Sequence, residues 1–101
     1  ITRYDHDWFR TELTAGETIV IQARGYYTGG GTLIAPELLL YDANSGYLGY
    51  DRYSGVGLDA SLTYTPTTSG DFYIEVGGLS SFTGSYTIEV DSASNASLST
   101  L

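Results

Sequence analysis

The 101-residue chain contains no cysteine and no methionine, and its four cationic residues include no lysine. Without cysteine there is no disulfide framework, no thiolate zinc site and no thiol nucleophile. The cations stand singly at Arg3, Arg10, Arg24 and Arg52 against 12 acidic residues, for a formal charge of −8. Phosphate recognition needs clustered positive charge, so nucleic acid and anionic lipid are poor partners and cations are better ones. No apolar run approaches the ~18 residues of a membrane-spanning helix, so membrane insertion is not expected. The opening Ile1-Thr2-Arg3-Tyr4 does not read as a signal peptide, and the sequence reads as excised from something longer.

What is present settles the class. Thr, Gly, Ser and Tyr dominate, all strand formers or turn residues, so the chain is expected to be all-β. The length allows one domain, burying roughly 65% of its unfolded surface: enough for one core, too little for a deep cleft. Alternation predicts strands over residues 8–13, 17–24, 38–42, 47–50, 59–65, 71–76 and 85–90. In the stretch 71–76, Phe72, Ile74 and Val76 share one face and Tyr73 and Glu75 the other. The similar segments beginning at Gly70 and Gly84 read as consecutive hairpin strands. Leu38, Leu39 and Leu40 run without a break, which predicts a central strand covered on both sides. Seven or eight such strands make an antiparallel two-sheet β-sandwich, jelly-roll-like or Greek key, over residues 1–90. Residues 25–37 and 51–58 are long loops, and the Ser- and Ala-rich stretch 91–101 reads as a linker or tail.

Catalytic chemistry has little material. The single His6 lies between Asp5 and Asp7 with no nucleophile elbow, and Gly29-Gly30-Gly31 lacks the lysine and helix of a phosphate loop, so no enzyme is expected. The carboxylates say more. Asp5 and Asp7 are two apart, which in an extended segment directs both to one side. Asp42, Asp51 and Asp59 stand at strand ends and loop boundaries. Oxygen ligands of this kind suit Ca²⁺, but turn-forming, solvated aspartates explain the same positions, and the residues alone leave both readings open.

Several segments together resemble the bacterial pre-peptidase C-terminal domain family, in versions carried by secreted serralysin-like and calcium-repeat proteins. They are Asp5-His6-Asp7-Trp8-Phe9, Leu13-Thr14-Ala15-Gly16, Leu38-Leu39-Leu40-Tyr41-Asp42, Leu62-Thr63-Tyr64-Thr65, Ser69-Gly70-Asp71-Phe72-Tyr73-Ile74-Glu75-Val76, and the closing Thr83-Gly84-Ser85-Tyr86-Thr87-Ile88-Glu89-Val90. The resemblance covers about residues 4–90. It implies a non-catalytic, often calcium-binding β-sandwich, secreted or at the cell surface and attached to neighbouring domains. Asp5 and Asp7 match its Asp-x-Asp-Trp-Phe motif. Asp51 matches the first of an Asp-Asp pair whose second member is here Arg52, and Asp59 falls where Asn or Asp is common.

Tyr41, Tyr64, Tyr73 and Tyr86 fall at framework positions of that family. Tyr26, Tyr27, Tyr47, Tyr50 and Tyr53 do not, and lie in or beside the two long loops. With Arg52 at the rim, they suit binding of an extracellular polymer, polysaccharide before protein, because a phenol ring offers a flat apolar face and a hydroxyl. The competing explanation is that tyrosine simply favours strands, which would leave a structural spacer. Trp8 should point outward with Arg10 and Glu12, either packed under a terminal segment or exposed to ligand.

Overall fold

The computed structural model describes residues 6–52, 55–78 and 82–92. Among them are seven strands: β1 (His6–Leu13), β2 (Ile19–Arg24), β3 (Pro36–Tyr41), β4 (Tyr47–Asp51), β5 (Ala60–Tyr64), β6 (Gly70–Gly78) and β7 (Thr87–Ser92). They form two antiparallel sheets, one in the order β1-β6-β3-β4 and the other β5-β2-β7. This is the expected all-β sandwich, because each strand carries apolar residues at alternate positions and can bury only that side. From the four-stranded sheet come Leu13, Leu38, Leu40, Phe72, Ile74 and Val76, and from the three-stranded sheet Ile19, Ile21, Ala23 and Ala60, all in one core. Ile21, Leu38, Leu40 and Val76 are wholly shielded from solvent. Truncating one of these to Ala typically costs about 2–5 kcal/mol.

Several expectations need correcting. The segments at Gly70 and Gly84 are not a hairpin: β6 pairs with β1 and β3, whereas β7 pairs with β2 in the other sheet. Alternation specifies which side of a strand is buried but not its partner: β6 buries Phe72, Ile74 and Val76, whereas β7 packs Ile88 against the core and leaves Val90 exposed. β3 is central, flanked by β6 and β4, but Leu39 points away from the core and is only half-buried. β7 runs on to Ser92, with Asp91 and Ser92 opposite Val20 and Ile19, two residues past the expected end of that strand at 90. At the other end of the prediction, β2 starts at Ile19 because Thr14–Glu17 is spent on a turn. There Gly16 takes φ +80° and Glu17 N–H donates to the Thr14 carbonyl at 3.1 Å.

The long loop after β2 is ordered by its own hydrogen bonds. Tyr26–Thr28 forms one 3-10 turn. Tyr26 N–H donates to the Leu33 carbonyl at 2.8 Å, and Thr32 and Leu33 N–H both donate to the Ser85 carbonyl. The loop thereby buries Leu33 and Ala35 under one end of the sandwich. Ser85 and Tyr86, expected to be strand, precede β7, which begins only at Thr87, and Ser85 is used to hold this loop.

Candidate functional site

The outward side of the four-stranded sheet follows from its register. Trp8 lies opposite Glu75, which lies opposite Leu39, which lies opposite Tyr50. One pair of residues along, the row reads Arg10, Tyr73, Tyr41, Tyr47. Five aromatic rings are therefore displayed on one rigid surface, across all four strands. Trp8, Tyr47 and Tyr50 are each more than half exposed, at 56%, 55% and 55%.

Tyr47 and Tyr50 share this face only because of a bulge. A separation of three would send their side chains to opposite sides of a regular strand. Pairing slips between Leu40 and Tyr41, so that Leu40 faces Gly49 and Tyr41 faces Tyr47, leaving Leu48 as the extra residue. Leu48 packs against the core and both tyrosines stay outside.

The rings are held in place. Trp8 and Tyr41 have centroids 5.2 Å apart, and Tyr41 meets Tyr47 edge-on at 6.0 Å. The Tyr41 hydroxyl donates to Glu75 Oε1 at 3.0 Å, and His6 Nδ1 lies 2.8 Å from Glu75 Oε2. Burial, followed by the hydrogen bond and negative charge of Glu75, pushes the Tyr41 phenol above its ordinary value of 10.0, so it remains a donor at neutral pH. Arg52 Nε lies 2.7 Å from Glu37 Oε2, and its guanidinium sits 5.4 Å from the Tyr50 ring centre. Between the rings and the β3–β4 turn lies a concavity of about 420 Å³, lined by Trp8, Tyr41, Ala43, Ser45 and Tyr73.

The predicted loop tyrosines divide between two places. Tyr47 and Tyr50, with Arg52, belong to this face. Tyr26 and Tyr27 are exposed on the 3-10 turn after β2 and contact one another edge-on at 5.2 Å. Tyr53 lies outside the described residues. The two long loops do meet, at Asp59, whose carboxylate accepts from Gly25 N–H at 2.9 Å and from the Thr28 hydroxyl at 2.8 Å. Of the tyrosines given framework positions, Tyr64 and Tyr86 do pack against the core, whereas Tyr41 and Tyr73 line the concavity. Alternation carries the signal for Tyr73, which lies on the other side of its strand from Phe72 and Ile74.

The carboxylates expected to hold calcium are dispersed. Asp7 lies opposite Val76, Val76 opposite Leu38 and Leu38 opposite Asp51. Asp7 and Asp51 thus occupy the two edges of one sheet, three strand spacings or roughly 14 Å apart, too far to share an ion. Asp7 accepts from the Tyr86 hydroxyl and Asp51 from Ser61 N–H. Asp42 caps its own turn, accepting from Asn44 and Gly46 N–H at 2.9 and 2.7 Å. Asp59 is buried as the joint between loops. Asp5 lies outside the described residues, and among those described no three His, Asp or Glu side chains converge on a metal position. The described aspartates therefore do not fit a single shared calcium cage.

Among the described residues no helix is long and apolar enough to cross a membrane. Compared with family models, curated proteins and solved structures, the chain matches none, and its resemblance to pre-peptidase C-terminal domains rests on the motifs quoted above.

Proposed function

We propose that this domain is a non-catalytic accessory module of a secreted or cell-surface protein, and that it binds an extracellular polysaccharide on the outer face of its four-stranded sheet. The observation that carries this reading is the exposure of Trp8, Tyr47 and Tyr50 on one face, with Tyr41 and Tyr73 between them. Rings on a sheet are preorganised, so little side-chain freedom is lost when a ligand docks. A sugar ring presents a patch of C–H bonds that stacks on an aromatic face, and its hydroxyls reach polar groups at the rim.

Backbone recognition of a peptide strand fits this face less well. The N–H and C=O groups of β6 and β3 are already paired on both sides, so an added strand can join only at an edge, away from the rings. Attachment to insoluble polymer raises the effective concentration of whatever the module is joined to, so weak binding suffices.

The test is a pull-down of the domain on cellulose, chitin and xylan, with the Trp8→Ala variant alongside. Retention of the parent and loss with Trp8→Ala is the expected result. If none of the polymers retains the parent, the spacer or protein-binding reading replaces this one.

A further inference from the structure

We infer that the concavity between Trp8, Tyr41 and Tyr73 is a subsite for one uncharged pyranose unit, with Ser45 as a polar contact in its lining. This rests on the polysaccharide reading and adds a position, a ligand charge and a selecting residue. Position comes from the shape of the face, since here the rings of Trp8, Tyr41 and Tyr73 and the Ala43–Ser45 turn together line a hollow.

The charge of the ligand follows from the groups around the hollow. Glu75 is beside it, held by His6 and the Tyr41 hydroxyl. Asp42 is committed to its turn. Arg10, opposite Tyr73, has no ion-pair partner among the described residues, but Glu12 and Asp71 occupy the next row of the same face. The only other described cation on this face, Arg52, is bound to Glu37. A carboxylate or sulfate on the sugar would meet a surface of net negative charge, on which Arg10 is outnumbered by Glu12, Asp71 and Glu75. An uncharged pyranose meets no such penalty.

Ser45 is singled out by its backbone. It is the one described non-glycine residue with positive φ, at +66°, a conformation that glycine would adopt without strain. Strain retained in a turn that also lines a hollow is expected where the side chain has a use. The Ser45 hydroxyl is assigned that use, as a hydrogen-bonding partner for a sugar hydroxyl.

Trp8 is the only tryptophan in the chain, so its emission reports directly on this subsite. The domain is titrated with cellohexaose, chitohexaose and hexagalacturonate while Trp8 emission is followed, and calorimetry is run on the same samples. At least one neutral hexasaccharide is expected to shift the emission to shorter wavelength, with hexagalacturonate leaving it unchanged. Tyr73→Ala should weaken that binding about fivefold or more. Ser45→Gly should weaken it roughly two- to tenfold while raising the melting temperature, a combination that a purely structural Ser45 does not produce.

An equal response to hexagalacturonate overturns the inferred charge preference. Calorimetric binding of a neutral hexasaccharide without a Trp8 response overturns the subsite but leaves the accessory-module reading standing. Ser45→Gly binding like the parent removes Ser45 from the assignment. Absence of binding by every saccharide, with the parent folded by its melting curve, overturns both the subsite and the reading beneath it.

Discussion

The two outer faces of the sandwich are made from strands of the same kind, yet they carry different chemistry. On the four-stranded sheet the outward positions hold Trp8, Leu39, Tyr41, Tyr47, Tyr50 and Tyr73 alongside the charged Arg10, Glu12, Asp71 and Glu75. On the three-stranded sheet they hold Val20, Gln22, Ser61, Thr63, Thr87 and Glu89. Strand propensity favours Thr, Val and Tyr alike, and the second face shows that this chain builds outward strand positions without a single aromatic ring. Propensity alone therefore does not account for five rings on the first. The polar face serves as an internal control, and the difference between the faces is what the proposed function has to explain.

The strongest way to break the comparison is to remove rings from one face and change side chains on the other. Trp8→Ala combined with Tyr50→Ala takes away two exposed anchors. At on the order of 1 kcal/mol or more for each ring, polysaccharide affinity should fall more than tenfold. Because both side chains are more than half exposed, thermal unfolding should shift only slightly. Thr63→Ala with Thr87→Ala, the matching pair on the polar face, should leave affinity unchanged. Equal losses from the two pairs in a quantitative pull-down would remove the distinction between the faces.

How much of this was legible in the sequence depends on the kind of signal. Alternation placed Ile74 and Val76 inside and Tyr73 outside, and the single-sided strands implied two sheets. Pairing was not legible, because β6 and β7 have the same pattern and only long-range contacts decide that they lie in different sheets. Nor was the bulge at Leu48, without which Tyr47 and Tyr50 read as facing opposite ways. Tyr41 was hidden differently: it follows an unbroken Leu38–Leu40 run that conceals its alternation, and Leu39 proves to be the outward member. Asp59 looked like a ligand because it is an aspartate at a loop boundary. Its partners, Gly25 and Thr28, come from a loop more than thirty residues away.

A smaller effect separates the framework of the aromatic face from its contact surface. Tyr41→Phe keeps the ring beside Trp8 but removes the hydrogen bond to Glu75, and should cost about 1–2 kcal/mol of stability. The sign of the pH dependence follows from the raised phenol. Below the unfolded value near 10 the contribution is fully present, and it is lost as pH rises through the higher folded value. The parent should therefore lose stability in alkali more steeply than Tyr41→Phe, as followed by chemical denaturation from pH 8 upward. Identical alkaline profiles would mean that this hydroxyl does not anchor the face.

Calcium gives a test of the register beneath both faces. At 1 mM ion, a weak extracellular-type site with Kd of about 10⁻⁴–10⁻³ M would stabilise the fold by about 0.4–1.4 kcal/mol. Asp7 and Asp51 stand at opposite edges of one sheet, so one ion cannot use both. Any calcium-dependent rise in melting temperature should vanish with Asp7→Asn or with Asp51→Asn, and survive the other substitution. Loss in both variants would contradict the strand register. Superimposed curves in calcium and in chelator would dispose of the calcium expected from the family resemblance.

The smallest expected effects come from the two arginine ion pairs, one on each face, and they sharpen the comparison because their chemistry is nominally the same. Arg24 Nη1 lies 3.0 Å from Glu89 Oε1 on the polar face, with the two side chains 38% and 36% exposed. A pair so open to water is worth about 0.2–1 kcal/mol and is screened by salt. On the aromatic face Glu37 is only 16% exposed, and Arg52 also covers Tyr50. Glu89→Gln should therefore lower the melting temperature slightly in dilute buffer, with the difference closing at high salt and saccharide affinity unaltered. Arg52→Gln should retain more of its stability loss at high salt, because Glu37 is left half-buried without its cation, and it should also weaken polysaccharide binding by releasing the Tyr50 ring. If both substitutions respond to salt alike and neither alters binding, Arg52 is surface charge of the same kind as Arg24, and the aromatic face ends at Tyr50.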